Sequence, residues 1–113
     1  MKPTVSSIID EVKEVLKAAH KGRGRIPRGL SSFQVLERLK ARDELIKELG
    51  MPGKGEGNHY NAATLVAQAC MKLYDGGDVK LRYVDSDGMF FQVSGKQIEA
   101  GYGVCAFFQY SGK

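Results

Sequence analysis

The fold class is decided by residues 79–93, which read VKLRYVDSDGMFFQV. Apolar residues alternate there with Lys80 and Arg82, and a second apolar run follows a short polar stretch. Alternation with a period of two is typical of a strand that is buried on one face. Asp87-Gly88 is a pair that two-residue hairpin turns favour, because both central positions of such turns need a positive φ. We therefore predict a β-hairpin with its turn at Asp87-Gly88.

The chain after this hairpin continues with strand patterns. A further strand is predicted from about Gly103 to Tyr110, and residues 94–97 are typical of a turn. Residues 98–101 fit a short strand, an irregular return or the start of the last strand, and all three remain open. Residues 79–111 are thus expected to form an antiparallel sheet of three or four strands.

The chain before residue 79 has helical patterns, since its apolar residues recur at steps of three and four. The predicted helices run from Pro3 to about Lys21, from Ser31 or Ser32 to Gly50, and from about Asn61 to Tyr74. A polar run at residues 40–44 leaves open whether the second segment is one helix or two short helices with a bend. The third is expected to be the most buried helix, because few of its residues are strongly polar.

The length and composition fit a single globular domain: 113 residues, 42% hydrophobic and 27% charged. We predict one α+β domain over residues 1–113. Its three N-terminal helices (residues 1–75, with a basic loop at 21–29) pack on an antiparallel C-terminal sheet of three to four strands (residues 79–111). The sequence has no apolar run near the ~18–20 residues of a membrane helix, and its N-terminus lacks the apolar block of a signal peptide. We expect a cytoplasmic protein without membrane association.

Residues that support catalysis or metal binding are few and poorly spaced. Cys70 and Cys105 lie 35 residues apart, and neither His20 nor His59 has a second ligand at a helical spacing. Residues 85–88 contain a fragment of calcium-binding loops without the remaining ligands, which a turn explains. We expect two buried thiols, no metal, no cofactor and no enzymatic activity.

Positive charge is concentrated in the first half of the chain. Residues 1–57 hold 12 of the 17 Lys and Arg against 8 of the 13 acids, whereas residues 58–113 hold 5 of each. The loop at 21–29 contributes Lys21, Arg23, Arg25 and Arg28 without an acid, and Lys54 lies in a second glycine-rich loop before the third helix. Such loops bring cations and backbone close to phosphates. A solvated linker whose arginines pair with neighbouring acids is the alternative, and it stays open.

Two resemblances point to DNA. Gly22-Arg23-Gly24-Arg25 resembles the minor-groove hook of AT-hook proteins, although Ile26 separates the last Arg from Pro27. The order of three helices, a hairpin and a strand resembles that of winged-helix DNA-binding domains. This second resemblance implies that the third helix enters the major groove and that the hairpin at Asp85–Gly88 is the wing. The sequence departs from that pattern in the long loop before its third helix and in the scarcity of cations on that helix.

Aromatic residues crowd the last third of the chain, where seven of the ten Phe and Tyr lie between Tyr83 and Tyr110. The adjacent pairs Phe90-Phe91 and Phe107-Phe108 each place one ring on either face of a strand. We expect helices to cover one face and a partner subunit or a ligand to meet the other. The candidate ligand or interface residues are Tyr60, Phe91, Tyr102, Phe108 and Tyr110.

Two functions of different classes follow. The favoured one is a small non-enzymatic nucleic-acid-binding protein, regulatory in role, that contacts phosphates through the basic loop and Lys54. The alternative is a homodimeric protein-interaction or small-ligand-binding module that uses the aromatic sheet face, for example a product of a mobile genetic element.

Overall fold

The computed structural model describes residues 3–20, 29–51, 61–85, 88–99 and 104–111. Within these ranges the elements are α1 (Val5–His20), β1 (Leu30–Ser31), α2 (Ser32–Arg38), α3 (Arg42–Leu49), α4 (Ala62–Asp75), β2 (Val79–Asp85), β3 (Phe90–Val93), β4 (Lys96–Glu99) and β5 (Val104–Tyr110). The predicted α+β class is confirmed: the helices are mostly N-terminal and the strands mostly C-terminal. The described strands form two antiparallel sheets, one of three strands and one of two.

The first predicted helix is confirmed as α1, an amphipathic helix. Ile8, Val12 and Leu16 recur at steps of four and are all buried, which places them on one stripe of the helix. Thr4 and Ser7 exchange hydrogen bonds between backbone N–H groups and side-chain oxygens ahead of this stripe. These bonds supply acceptors at the start of the helix, where backbone N–H groups lack the carbonyl of a preceding turn.

The second predicted segment is two helices, so one of the two alternatives is confirmed. Ser31 caps α2 in a capping box with Gln34, and the helix ends where Leu39 turns extended, with φ −74° and ψ 141°. The backbone N–H of Lys40 then donates to the carboxylate of Glu11 on α1. The polar run therefore interrupts the helix, and α1 stabilises the backbone of the link between α2 and α3 through this hydrogen bond.

The most buried helix is α4, as predicted. It packs against α1, α2, α3 and β2, and half of its fourteen residues are buried: Ala62, Ala63, Leu65, Val66, Ala69, Cys70 and Leu73. Asn61 caps its N-terminus, since the side-chain oxygen accepts from the N–H groups of Ala63 and Thr64 at 2.9 and 3.2 Å. A substitution that weakens this cap should therefore lower the stability of the whole domain, because α4 packs against most of the core.

Replacing Asn61 by alanine is expected to lower the free energy of unfolding by about 1 kcal/mol, because the N–H of Ala63 loses its acceptor and the N–H of Thr64 keeps only the backbone carbonyl of residue 61. The matched control is Asn61→Asp, which keeps a side-chain acceptor and places negative charge at the helix N-terminus. Urea denaturation followed by circular dichroism measures both. Equal stability of the alanine and aspartate variants would show that the cap contributes nothing.

The predicted hairpin between residues 79–84 and 89–93 is wrong. In the three-stranded sheet, ordered β1-β5-β2, strand β2 pairs with β5 along its whole length, from Val79↔Tyr110 to Asp85↔Val104. Both strands have seven residues, whereas β3 has four. The longer pairing also places apolar residues of β2 opposite Tyr110 and Phe108, so it buries more apolar surface than a pairing with β3.

A different hairpin forms, between β3 and β4, with Ser94-Gly95 as its two-residue turn. Ser94 has φ 52° and Gly95 φ 83°, the positive values that a type I′ turn requires. Strand β4 answers the open question about residues 98–101 in favour of a short strand for Ile98 and Glu99. Because β2 does not pair with β3, the wing at Asp85–Gly88 that the winged-helix resemblance implies is absent from the described pairing.

Strand β1 is a two-residue element that the sequence analysis missed. Leu30 pairs with Phe108 and Ser31 with Phe107, and Ser31 is at once the end of the strand and the cap of α2. The preceding Gly29 lies close to β5: a Cβ there would lie 3.1 Å from the carbonyl oxygen of Phe108. A side chain at this point would require the neighbouring strand to shift by a few tenths of an ångström, because the two backbones approach each other closely.

One continuous core joins the helices to the first sheet. Its larger fully buried side chains include Leu16, Leu36, Leu45, Leu65 and Phe108. Cys70 and Cys105 are buried free thiols, as expected. No helix in the described ranges is long and apolar enough to cross a membrane.

Candidate nucleic-acid interface

The three-stranded sheet has two chemically different faces, which follow from its register. Opposed residues of antiparallel strands lie on the same face and successive residues alternate. Val79, Leu81, Phe108, Tyr110 and Leu30 therefore share one face, and all five belong to the core or pack against it. We call this the helix-covered face.

The opposite face carries the unpaired positive charge of the sheet. Its members are Ser31 from β1, Lys80, Arg82 and Val84 from β2, and Cys105, Phe107 and Gln109 from β5. We call this set the cationic face, because two of the seven residues are cations and none is an acid. Lys80 and Arg82 are both exposed, at alternate positions of one strand, so their Cα atoms lie roughly 6.6 Å apart.

Lys80 and Arg82 keep their charge available. Neither forms an ion pair with an acid in the part of the chain that the structure describes. Lys13, by contrast, lies 3.5 Å from the carboxylate of Asp78. Two exposed cations without a neighbouring acid give a positive potential that attracts anions.

An aromatic cluster borders the cationic face. The ring of Phe91 on β3 stacks on Phe33 of α2, with centroids 5.4 Å apart and planes at 12°. Phe91 also contacts Phe107 of the cationic face, at 6.2 Å and 56°. All three rings are partly buried, and neither Phe91 nor Phe107 belongs to the main core or its packed margin. The cluster therefore joins the second sheet to the cationic face by ring contacts.

The acid nearest to this cluster along α2 is already neutralised. Glu37, one helical turn after Phe33, accepts a hydrogen bond from the backbone N–H of Ser94 at 2.7 Å and lies 3.1 Å from the guanidinium of Arg42. The hydrogen bond to Asp43, followed by the charges of Asp43 and Glu37, raises the pKa of Arg42. This network holds α2 against the turn between β3 and β4, and it pairs the Glu37 carboxylate with a cation.

The sequence-predicted residues fall into three groups. The predicted phosphate-binding residues Lys21, Arg23, Arg25, Arg28 and Lys54 lie outside the described residues, as do Tyr60 and Tyr102. Phe108 and Tyr110 are 2% and 8% exposed and line the helix-covered face, within the core. As core residues they offer no open ring surface to a ligand, and of the described candidates only Phe91 lies in the aromatic cluster.

Four residues of this candidate interface were not among the sequence-predicted candidates: Lys80, Arg82, Phe33 and Phe107. The alternation of Lys80 and Arg82 was visible, and it already placed both on one face of a strand. Their position beside Phe107 depends on the pairing of β2 with β5, which places Arg82 opposite a residue 25 positions later in the chain. Periodicity within one segment does not determine that pairing.

A second surface feature lies on the other side of the molecule. A shallow groove of about 790 Å³ runs between the start of α1 and the outer side of α4. Val5, Ala67 and Met71 supply its apolar lining, and Lys72 and Asp75 supply opposite charges. The paired signs make this groove a poorer anion site than the cationic face.

The described residues contain neither a metal-binding cluster nor a thiol with a lowered pKa. They contain no group of three His, Cys, Asp or Glu side chains that could hold a metal ion. Burial raises the pKa of both thiols, that of Cys70 to about 12, so both are protonated and unreactive near neutral pH.

The chain matches no protein-family model, no curated protein and no solved structure. Its function is therefore inferred from its residues and their geometry.

Proposed function

We propose that the chain is a non-enzymatic nucleic-acid-binding protein that contacts phosphates through the cationic face. The single observation that carries this proposal is the exposure of Lys80 and Arg82 on an acid-free sheet face next to the Phe107 ring. Cations interleaved with aromatic rings suit a ligand that has both phosphates and bases.

The basic loop adds to the same proposal from the sequence side. Its four cations precede Gly29, and Gly29 lies against β5, beside Phe107 and Phe108. The loop thus joins the described structure at the strand that carries Phe107. We propose that Lys21, Arg23, Arg25 and Arg28 supplement the charge of the cationic face.

Neutralising the face is expected to weaken binding by roughly 10-fold and to flatten its salt dependence. The variant is Lys80→Gln/Arg82→Gln, which removes two phosphate contacts while keeping long side chains. The slope of log Kd against log salt should fall by about 1.4 for a single strand or 1.8 for a duplex. Fluorescence anisotropy of labelled single-stranded and duplex DNA between about 50 and 200 mM salt measures this change.

The matched control is Lys47→Gln/Lys72→Gln, which removes the same charge from exposed positions on α3 and α4. It should bind almost as the original chain does. Equal losses in the two variants would mean that only net charge matters, and no binding by the original chain at low salt would exclude the proposal.

Self-association is a second candidate, favoured by a different observation. At the far end of the helix-covered face, Tyr83 and Val104 are each 59% exposed. Tyr83 is opposite Ala106 and Val104 is opposite Asp85, so Tyr83 and Val104 are diagonal neighbours on this face. Neighbouring exposed apolar residues are typical of interaction surfaces. Light scattering with Tyr83→Ser, over a range of protein concentrations, distinguishes a dimer through this patch from a monomer.

A further inference from the structure

We propose that the nucleic acid bound at the cationic face is single-stranded and that one of its bases stacks on the ring of Phe107. This inference rests on the proposed nucleic-acid-binding function and names the class of nucleic acid.

The shape of the face favours an unpaired strand. A duplex is read by an element that enters its major groove, about 12 Å wide, such as a helix or a two-stranded ribbon. Lys80 and Arg82 are instead exposed, and Phe107 is partly exposed, on a sheet whose other side is packed against the core. Ser31 and Cys105 of the same face are buried, so the open part of the face is the one around Lys80, Arg82 and Phe107. Open sheet surfaces that carry aromatic rings bind bases that have left the stack.

The register places a phosphate contact and a ring side by side. Arg82 is directly opposite Phe107, so their Cβ atoms lie about 5 Å apart on one face. A phosphate held by Arg82 would bring the base of the same nucleotide next to the ring. Lys80, two residues along the strand, is positioned for a neighbouring phosphate.

The aromatic cluster holds this ring in place. The ring of Phe91 packs against Phe107 at a tilt. Phe33 stacks on Phe91 and so supports the ring that contacts Phe107. A ring fixed by its neighbours loses little conformational entropy when a base stacks on it. Phe33 and Phe91 are therefore positioning residues, and Phe107 is the contact.

The test compares an oligo(dT) and an oligo(U) with a duplex of the same length, at the same salt. Single strands should bind at least about 10-fold more tightly than the duplex. Phe107→Leu keeps an apolar side chain but removes the ring, and it should weaken single-strand binding roughly 5- to 150-fold, the effect of one base–aromatic stack. The control Phe90→Leu removes an exposed ring from the second sheet and should leave the affinity unchanged.

A cross-linking measurement separates contact from folding. An oligonucleotide that carries 5-iodouracil is irradiated with the unsubstituted chain, and the cross-linked peptide is identified by mass spectrometry. We expect the peptide that contains Phe107, a result that does not depend on whether Phe107→Leu folds.

Two outcomes overturn the inference while leaving the proposed function intact. One is a duplex affinity equal to or higher than that of the single strands, with Lys80→Gln/Arg82→Gln still weakening it. The other is a cross-link that maps away from β5 and the cationic face. Absence of binding to any of the three probes at low salt would remove the proposed function as well.

Discussion

Replacing Phe108 by alanine is expected to lower the free energy of unfolding by about 3–5 kcal/mol, the largest loss from any single substitution discussed here. Phe108 is 2% exposed and lies on the central strand of the sheet, opposite Leu81 on one side and Leu30 on the other. Truncation removes the transfer energy of the ring and leaves a cavity between the sheet and the helices. Urea denaturation followed by circular dichroism measures the loss.

The matched control is Phe90→Ala, because Phe90 is the same residue type in a strand but is 51% exposed. It should change stability by about 0.5 kcal/mol or less. Where Phe108→Ala is too unstable to fold, Phe108→Leu provides a smaller loss in the same direction. Similar losses at the two positions would contradict the burial of Phe108 and with it the pairing of β5.

Stability is also expected to fall steeply at alkaline pH because of Cys70. Burial raises the pKa of this thiol from 9.0 to about 12, whereas the thiol of the unfolded chain ionises near the lower value. The contribution of the protonated Cys70 thiol to the free energy of unfolding is fully present below pH 9. It is lost as the pH rises toward 12, since in this range the thiol ionises in the unfolded chain but not in the folded one. The free energy of unfolding should fall by about 1.4 kcal/mol per pH unit in this window, or on the order of 3 kcal/mol by pH 11.

The comparison with Cys70→Ala isolates this effect from other groups that titrate at high pH. The alanine variant should be less stable at pH 8 through its small cavity, yet its stability should fall less steeply between pH 9 and 11. Cys105, whose pKa burial also raises, is present in both chains and cancels. Parallel pH profiles for the two chains would show that Cys70 is accessible to solvent.

Local patterns in the sequence predicted the helices well. Steps of three and four located α1 and α4, since this signal lies within one segment. The polar run at residues 40–44 showed that the second segment was weak, but not where it breaks. The break at Leu39 coincides with the hydrogen bond between Lys40 and Glu11, a tertiary contact that the sequence does not display.

Strand pairing was the less predictable part. Asp87-Gly88 is a stronger hairpin signal in sequence than Ser94-Gly95, yet only the second closes a described hairpin. Burial favours the pairing of β2 with β5, because it places Val79 and Leu81 opposite Tyr110 and Phe108, all of which lie in the core or pack against it. The distribution of charge suggested nucleic-acid binding as a hypothesis, but it indicated only the basic loop and Lys54 as the phosphate-binding residues.

The pairing of β2 with β5 thus places on one sheet face the two residue types on which the two functional hypotheses relied. The first relied on cations and the second on aromatic sheet residues, and the cationic face combines Lys80 and Arg82 with Phe107. A ligand with phosphates and bases satisfies both features. A purely apolar partner would leave the two cations without a counter-charge.

The most direct measurement is a titration of the isotopically labelled chain with an oligo(dT), followed by amide chemical shifts in nuclear magnetic resonance spectra. We expect the largest shift changes at Lys80, Arg82, Phe107 and Gln109, with smaller changes at Phe91 and almost none in α3. Changes centred on the groove between α1 and α4, or no changes at low salt, would contradict the assignment of the cationic face as the binding surface.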